Sequence, residues 1–166
     1  MTKLIACGHE QAVLNLKTRS MIVNCAVYKL KTINDKFTAI AVSGYSMSLI
    51  GSIVADKMKK EIIIVRKDTD RRASGLSAEG KTEQKCVFID DMIFSGNSFI
   101  RVKEGVESLK GSIVAMFLYN SGCGTYRIEK NREIIGSGVM DMTDYTMHDR
   151  VTAELMRQHT CGEFTF

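Results

Sequence analysis

Asp90 and Asp91 stand side by side at the end of an apolar run, and a short loop of small and hydroxyl residues follows them: Val87-Phe88-Ile89-Asp90-Asp91-Met92-Ile93-Phe94-Ser95-Gly96-Asn97-Ser98. Two adjacent carboxylates repel a phosphate; they suit hydroxyls, a cation or a developing positive charge. The residues after them do the opposite. Backbone N–H groups of such a loop, with the N-terminus of a helix behind them, make a cradle for a phosphate. Ser95 and Ser98 add hydroxyl donors, and Gly96 lets the backbone approach closely. One motif thus offers an anion pocket beside a pair of acceptors, a shape suited to a ribose 5-phosphate. The plainer alternative is a strand-end Asp-Asp turn that caps the next helix.

Two other segments carry chemistry of the same kind. Ser43-Gly44-Tyr45-Ser46 follows the apolar run Phe37-Thr38-Ala39-Ile40-Ala41-Val42, and the cations Arg66-Lys67 follow Glu61-Ile62-Ile63-Ile64-Val65. From Arg66 to Lys85 the chain is polar, bears Gly75, Gly80, Arg71 and Arg72, and has Leu76 as almost its only apolar anchor. A structureless loop of that length in a small domain is usually functional. Its plain alternative is a solvated charge cluster.

The elements that must hold these segments are legible from periodicity. Ile22, Val23, Ala26, Val27, Leu30 and Ile33 form a helical stripe, with Ser20 as the expected N-cap. The runs at 37–42, 61–65, 86–89 and 113–118 are near-continuous and apolar, as in strands buried on both faces. Between them Met47, Ile50, Val54 and Met58, and then Phe99, Val102, Val106 and Leu109, mark two helices. That alternation predicts an α/β fold with a doubly wound, mostly parallel sheet. Ligands of such sheets bind beyond the carboxyl ends of the strands, where all three loops emerge. After Tyr119 the pattern weakens, with a short strand near 133–140 and a short helix near 149–158. Tyr119 and Asn120 leave the last strand at the same edge, either towards a ligand or as a plain turn.

The Asp90 segment resembles the signature with which type I phosphoribosyltransferases bind 5-phosphoribosyl 1-pyrophosphate (PRPP). The resemblance covers roughly residues 37 to 119. It implies that Asp90 and Asp91 hold the ribose hydroxyls, directly or through Mg²⁺, and that Phe94, Ser95, Gly96, Asn97 and Ser98 surround the 5-phosphate. Ser43, Gly44, Tyr45 and Ser46 resemble the family's pyrophosphate loop. Arg66, Lys67, Arg71 and Arg72 are similar to the closing catalytic loop of the orotate phosphoribosyltransferases, whose cations meet the leaving group. The implied fold is one domain over 1–166, a core of about 20–119 with a small hood built from 1–19 and 120–166. The implied activity is phosphoribosyl transfer to a nucleobase, orotate first and adenine next, in a homodimer by analogy. Phe94 stands where the hypoxanthine-guanine branch has an acid, which disfavours that branch. Asp68, Thr69, Asp70, Arg71 and Arg72 replace the Lys and His usual in the orotate-type loop. A protein that binds PRPP or a nucleotide as a sensor, without turnover, is therefore the alternative.

Composition excludes several other classes. The chain has 166 residues and a net charge of +4, from 23 Lys and Arg against 19 Asp and Glu. No aromatic-interleaved basic stripe suggests nucleic-acid binding, and no apolar stretch approaches the roughly 20 residues of a membrane span. The first apolar run is too short for a signal peptide. A cytoplasmic location is the expectation. Five cysteines without a CxxC pair, and His9, His148 and His159 without ligand spacing to them, argue against disulfides, zinc and thiol chemistry. Gly122-Cys123-Gly124 lacks the third glycine of a dinucleotide-binding turn. With no proline, turns are expected to use Gly, Asn, Asp and Ser.

Overall fold

The computed structural model describes residues 6, 8–67, 75–91, 97–119, 127–128, 134–135 and 138–141, the last three stretches as backbone. Helices α1 (Gly8–Leu14) and α2 (Leu16–Leu30) lead through a 3₁₀ turn, Lys31–Ile33, into β1 (Ala39–Ser43). Then come α3 (Tyr45–Met58), β2 (Glu61–Val65), β3 (Ala78–Glu79), β4 (Lys85–Asp90), α4 (Asn97–Ser108) and β5 (Ser112–Leu118). Short strands β6 (Arg127–Ile128), β7 (Ile134–Ile135) and β8 (Gly138–Asp141) follow. The main sheet runs β3-β2-β1-β4-β5-β8, and β6 pairs with β7 apart from it. Its four inner strands are mutually parallel, while β3 and β8 are antiparallel edges.

Strand alternation explains the two cores. Ile40, Val42, Val87, Ile89 and Phe117 point to the face covered by α1, α2 and α3. Ala39, Ala41, Cys86, Phe88 and Met116 point to the face covered by α4. Successive side chains in a strand face opposite ways, so strands covered on both faces must be apolar throughout, as these are. On the α4 side Phe88 meets Phe99 edge to face, with centroids 5.7 Å apart, a pair worth about 0.5–1.5 kcal/mol beyond its buried area. On the other side Gly51 of α3 lies directly on Val42, and a Cβ there would overlap the valine methyl. That glycine brings α3, and the turn before it, close to β1. The doubly wound fold expected from periodicity is thus the fold observed.

Several local expectations need correction. Ser20 is not an N-cap: α2 begins four residues earlier, and Asn15 caps it by accepting from the Thr18 N–H at 3.2 Å. Ser20 lies inside that helix, on its exposed side. The helix α1 was not anticipated, because its seven residues give barely two turns of pattern; Ala12 and Val13 nevertheless sit in the core. The segment 66–85 is not wholly irregular, since Ala78 and Glu79 pair with β2. Phe37 is buried but precedes the strand. Turns also use Lys59, Glu83 and Lys110 at positive φ, a conformation that costs a side-chain-bearing residue roughly 1–2 kcal/mol. Lys59 directly follows α3 and Lys110 lies two residues beyond α4, where the chain must reverse towards the next strand. The helix expected near 149–158 lies outside the described residues. No helix among the described residues is long and apolar enough to cross a membrane.

Candidate active site

The sheet order places a switch point between β1 and β4: from β1 the chain crosses to β2 on one side, and later returns to β4 on the other. Ligands of open α/β sheets bind at such a point, beyond the carboxyl ends of the strands. The three segments singled out above leave the sheet here. Ser43 pairs with Val65, which brings the turn at Gly44 beside Arg66 and Lys67. Ala41 pairs with Phe88 in parallel register, so two residues further on Ser43 and Asp90 stand level.

Gly44 has φ +81° and precedes the first helical residue of α3. Its ψ of 167° completes a conformation that is essentially glycine's own. It removes the side chain at the point where Lys67 crosses: a Cβ on Gly44 would lie 3.4 Å from Lys67 Cε and 3.6 Å from Nζ. The ammonium of Lys67 therefore stands over the N-terminus of a 14-residue helix, whose first N–H groups have no intrahelical acceptor. Tyr45 and Ser46 are the first turn of α3 rather than a free turn, and Tyr45 is exposed. Among the described residues the buried Ser43 hydroxyl oxygen has no hydrogen-bond partner. Beside an anion it is an available donor.

Across the switch point Asp90 ends β4 and Asp91 follows, its backbone N–H donating to Asp90 Oδ1 at 2.9 Å. Burial, and next the neighbouring Asp91 carboxylate, hold the Asp90 carboxyl well above the ordinary carboxylate range. The Asp91 N–H and the charge of Lys67 pull the other way, and they lose. Such a carboxyl is poised to gain from a cation or from hydroxyl donors. Hard oxygen donors of this kind fit Mg²⁺, which is commonly held by one or two carboxylates together with substrate phosphates. Among the described residues no group of three or more His, Cys, Asp or Glu converges as a protein-only cage.

Asn97 and Ser98 open the 12-residue α4 and are exposed at its first turn. Phe94, Ser95 and Gly96, and likewise Arg71 and Arg72, lie outside the described residues. Arg66 is engaged elsewhere than over Gly44: its Nε and Nη2 donate to Glu79 Oε2 at 3.0 and 2.6 Å. The sequence had not singled out Glu79. Its only signal is an acid set before Gly80 in a segment otherwise rich in cations. Tyr119 is buried in the core on the α1–α3 face rather than turned towards a ligand, and Asn120 is outside the described residues. Cys86 is also buried, which pushes its thiol up to about 12. A cavity of about 260 Å³ opens between α1 and α3, lined by Glu10, Val13, Leu14, Tyr45, Ser46 and Leu49. It shares Tyr45 and Ser46 with the turn under Lys67.

No model of a known protein family matches the chain. Among curated proteins it is 30% identical over 121 residues to an orotate phosphoribosyltransferase of Streptococcus mutans, covering 69% of this chain and 57% of that protein. It is 27% identical over 137 residues to an orotate phosphoribosyltransferase of Streptococcus thermophilus, covering 78% and 63%. The chain therefore spans about three fifths of the length of these relatives. Among solved structures it superposes on the adenine phosphoribosyltransferase of Trypanosoma brucei in complex with AMP, pyrophosphate and ribose-5-phosphate. That match has a TM-score of 0.52 at 16% identity and covers 63% of this chain and 52% of the other. The orotate phosphoribosyltransferase of Aeropyrum pernix gives 0.51 at 15% identity, over 66% and 62%. The structural likenesses speak for the fold, and the streptococcal relatives for kinship in sequence. Together these likenesses support assignment of the chain to the type I phosphoribosyltransferases.

Proposed function

We propose that this chain transfers the 5-phosphoribosyl group of PRPP to a nucleobase and releases pyrophosphate. The observation that carries the reading is the position of Lys67: its ammonium stands over Gly44 at the N-terminus of α3, and its charge reaches Asp90 across the switch point. A cation there lies between an anion cradle and a pair of carboxylates, as a sugar carrying a diphosphate requires.

The roles follow from charge. Asp90 and Asp91 accept hydrogen bonds from the ribose hydroxyls, while the start of α4, with Asn97, Ser98 and the loop 94–96, receives the 5-phosphate. The diphosphate lies against the main chain of Ser43–Ser46, where the Ser43 hydroxyl, without a partner among the described residues, can donate. As the bond from C1 to the diphosphate breaks, positive charge grows on the ribose and negative charge on the leaving group. Lys67 stabilises the second, the electrostatic contribution that is usually the largest in such reactions. Asp90 and Asp91 would hold Mg²⁺, through the ribose hydroxyls or water, and the ion would supply further positive charge to offset that of the leaving group. Arg71 and Arg72 remain candidates for the same anion. A homodimer, by family analogy, belongs to the same proposal.

The acceptor is an orotate-like or adenine-like base. Orotate is what the streptococcal relatives are named for, whereas Glu10 at the cavity beside Tyr45 favours a ring bearing an amino group over an anionic one. The second reading, a PRPP or nucleotide sensor, is favoured by Arg66, whose guanidinium is committed to Glu79. Pyrophosphate release from PRPP and Mg²⁺, measured against orotate, uracil, adenine, hypoxanthine, guanine, xanthine and nicotinate, separates the two. Release is expected with one base. Saturable PRPP binding with no release from any base would support the sensor.

A further inference from the structure

The pairing of Arg66 with Glu79 is puzzling if Arg66 serves an anionic substrate, because it sets a carboxylate on the guanidinium that should meet it. The geometry around the pair suggests another task. Val65 pairs with Ala78, Ile64 with Glu79, and the Arg66 N–H donates to Ser77 O at 2.9 Å, so residues 67–77 spring from a closed antiparallel stem. The base of that stem is fixed to the core. Val65 and Ala78 are buried, and Gly105 of α4 fits under both: a Cβ on Gly105 would come within 2.8 Å of the Val65 methyls and 3.3 Å of Ala78 Cβ. Gly80, at φ +150°, lies so close to β2 that a Cβ there would meet Ile62 O at 2.9 Å. At its upper end the Arg66–Glu79 ion pair, between side chains 30% and 33% exposed, adds to the backbone bond from Arg66 to Ser77. The next residue along the chain is Lys67, over Gly44.

We propose that Glu79 is a positioning residue: by engaging Arg66 it fixes the end of β2, and so holds the Lys67 ammonium over the Gly44 turn ready for a diphosphate. Arg66 then acts through its neighbour and not on the anion. This rests on the PRPP reading above but adds a residue and a role to it. The two charges face each other across the stem, so the arrangement is reversible in sign: exchanging them keeps the latch, whereas removing either opens it. A charge-assisted contact with two donors on one oxygen is the strong kind of hydrogen bond, and exposure of about a third leaves it partly screened.

The test follows Lys67 itself. The full-length protein is labelled with an amine-reactive ester over a range of inorganic pyrophosphate concentrations, and the Lys67 peptide is quantified by mass spectrometry. In the wild type pyrophosphate is expected to protect Lys67. In Glu79→Gln, half-protection should need about tenfold more pyrophosphate, the scale of one misplaced charged contact. The double exchange Arg66→Glu with Glu79→Arg should restore the wild-type dependence. Thermal melts of each variant show that the fold is kept, and the rescue by exchange stands whatever the single variant does to stability. An identical pyrophosphate dependence in Glu79→Gln and wild type overturns the positioning role alone. Failure of the double exchange to rescue a weakened single variant overturns it too. Wild-type Lys67 that pyrophosphate never protects overturns the diphosphate site, and the role of Glu79 falls with it.

Discussion

Replacing Asp90 with Asn is expected to weaken PRPP binding by about 10–100-fold, the range for losing a hydrogen bond to a charged group, while making the folded protein more stable at neutral pH. The two effects have one cause. In the native state burial and Asp91 hold the Asp90 carboxyl well above its ordinary value of 3.8. Between that value and the raised native one, the folded chain binds a proton that the unfolded chain has released. Stability therefore falls as pH rises through this window and stays lower above it. Asn carries no charge and escapes the penalty, so its advantage should be full above the window and vanish below about pH 3.8. Melts of both proteins at pH 3.5 and pH 8, with PRPP titrations at pH 8, check both halves. A variant that loses stability at pH 8 would contradict the electrostatic account of Asp90. One that binds PRPP unchanged would remove Asp90 from the site.

Lys67→Gln should act chiefly on turnover. An amide keeps much of the reach and hydrogen-bonding capacity of lysine but cannot offset charge that develops on the leaving pyrophosphate. Pyrophosphate release is expected to slow by about 10²–10³-fold, as when one oxyanion-stabilising donor is lost, while PRPP affinity falls by less. The variant also withdraws a charge that lowers the Asp90 carboxyl. The pH dependence of PRPP binding should consequently move upward, because Asp90 then ionises later. Steady-state release and PRPP titration from pH 6 to 9 measure both. Equal losses in affinity and turnover would mean that Lys67 holds the substrate without stabilising its breakdown.

The fold was legible for a simple reason. Strands β1 and β4 lie inside a sheet with helices on both faces, so Ile40, Ala41, Val42, Val87, Phe88 and Ile89 had to be apolar without interruption, and such runs stand out; β2 reads the same way, yet its Ile64 is exposed. The loops at Ser43, Arg66 and Asp90 were legible because they directly follow those runs. Asn15 as the cap of α2 was not, since the first turn of α2, with Leu16 strongly exposed, adds nothing to the stripe that begins at Ile22. β3 escaped notice because an edge of two residues has no period. The pairing of Arg66 with Glu79 escaped for a deeper reason: it joins residues 13 apart through a stem that only the fold creates. From sequence alone Arg66 and Lys67 look equivalent. The structure separates them, one turned to a carboxylate and one to a glycine turn.

If three loops from β1, β2 and β4 build one site for PRPP, calorimetric titration of PRPP into the wild-type protein with Mg²⁺ reads that site directly. The account predicts saturable binding at one site per chain that inorganic pyrophosphate competes away and that weakens markedly in Asp90→Asn. A folded protein that takes up no PRPP under these conditions would contradict it.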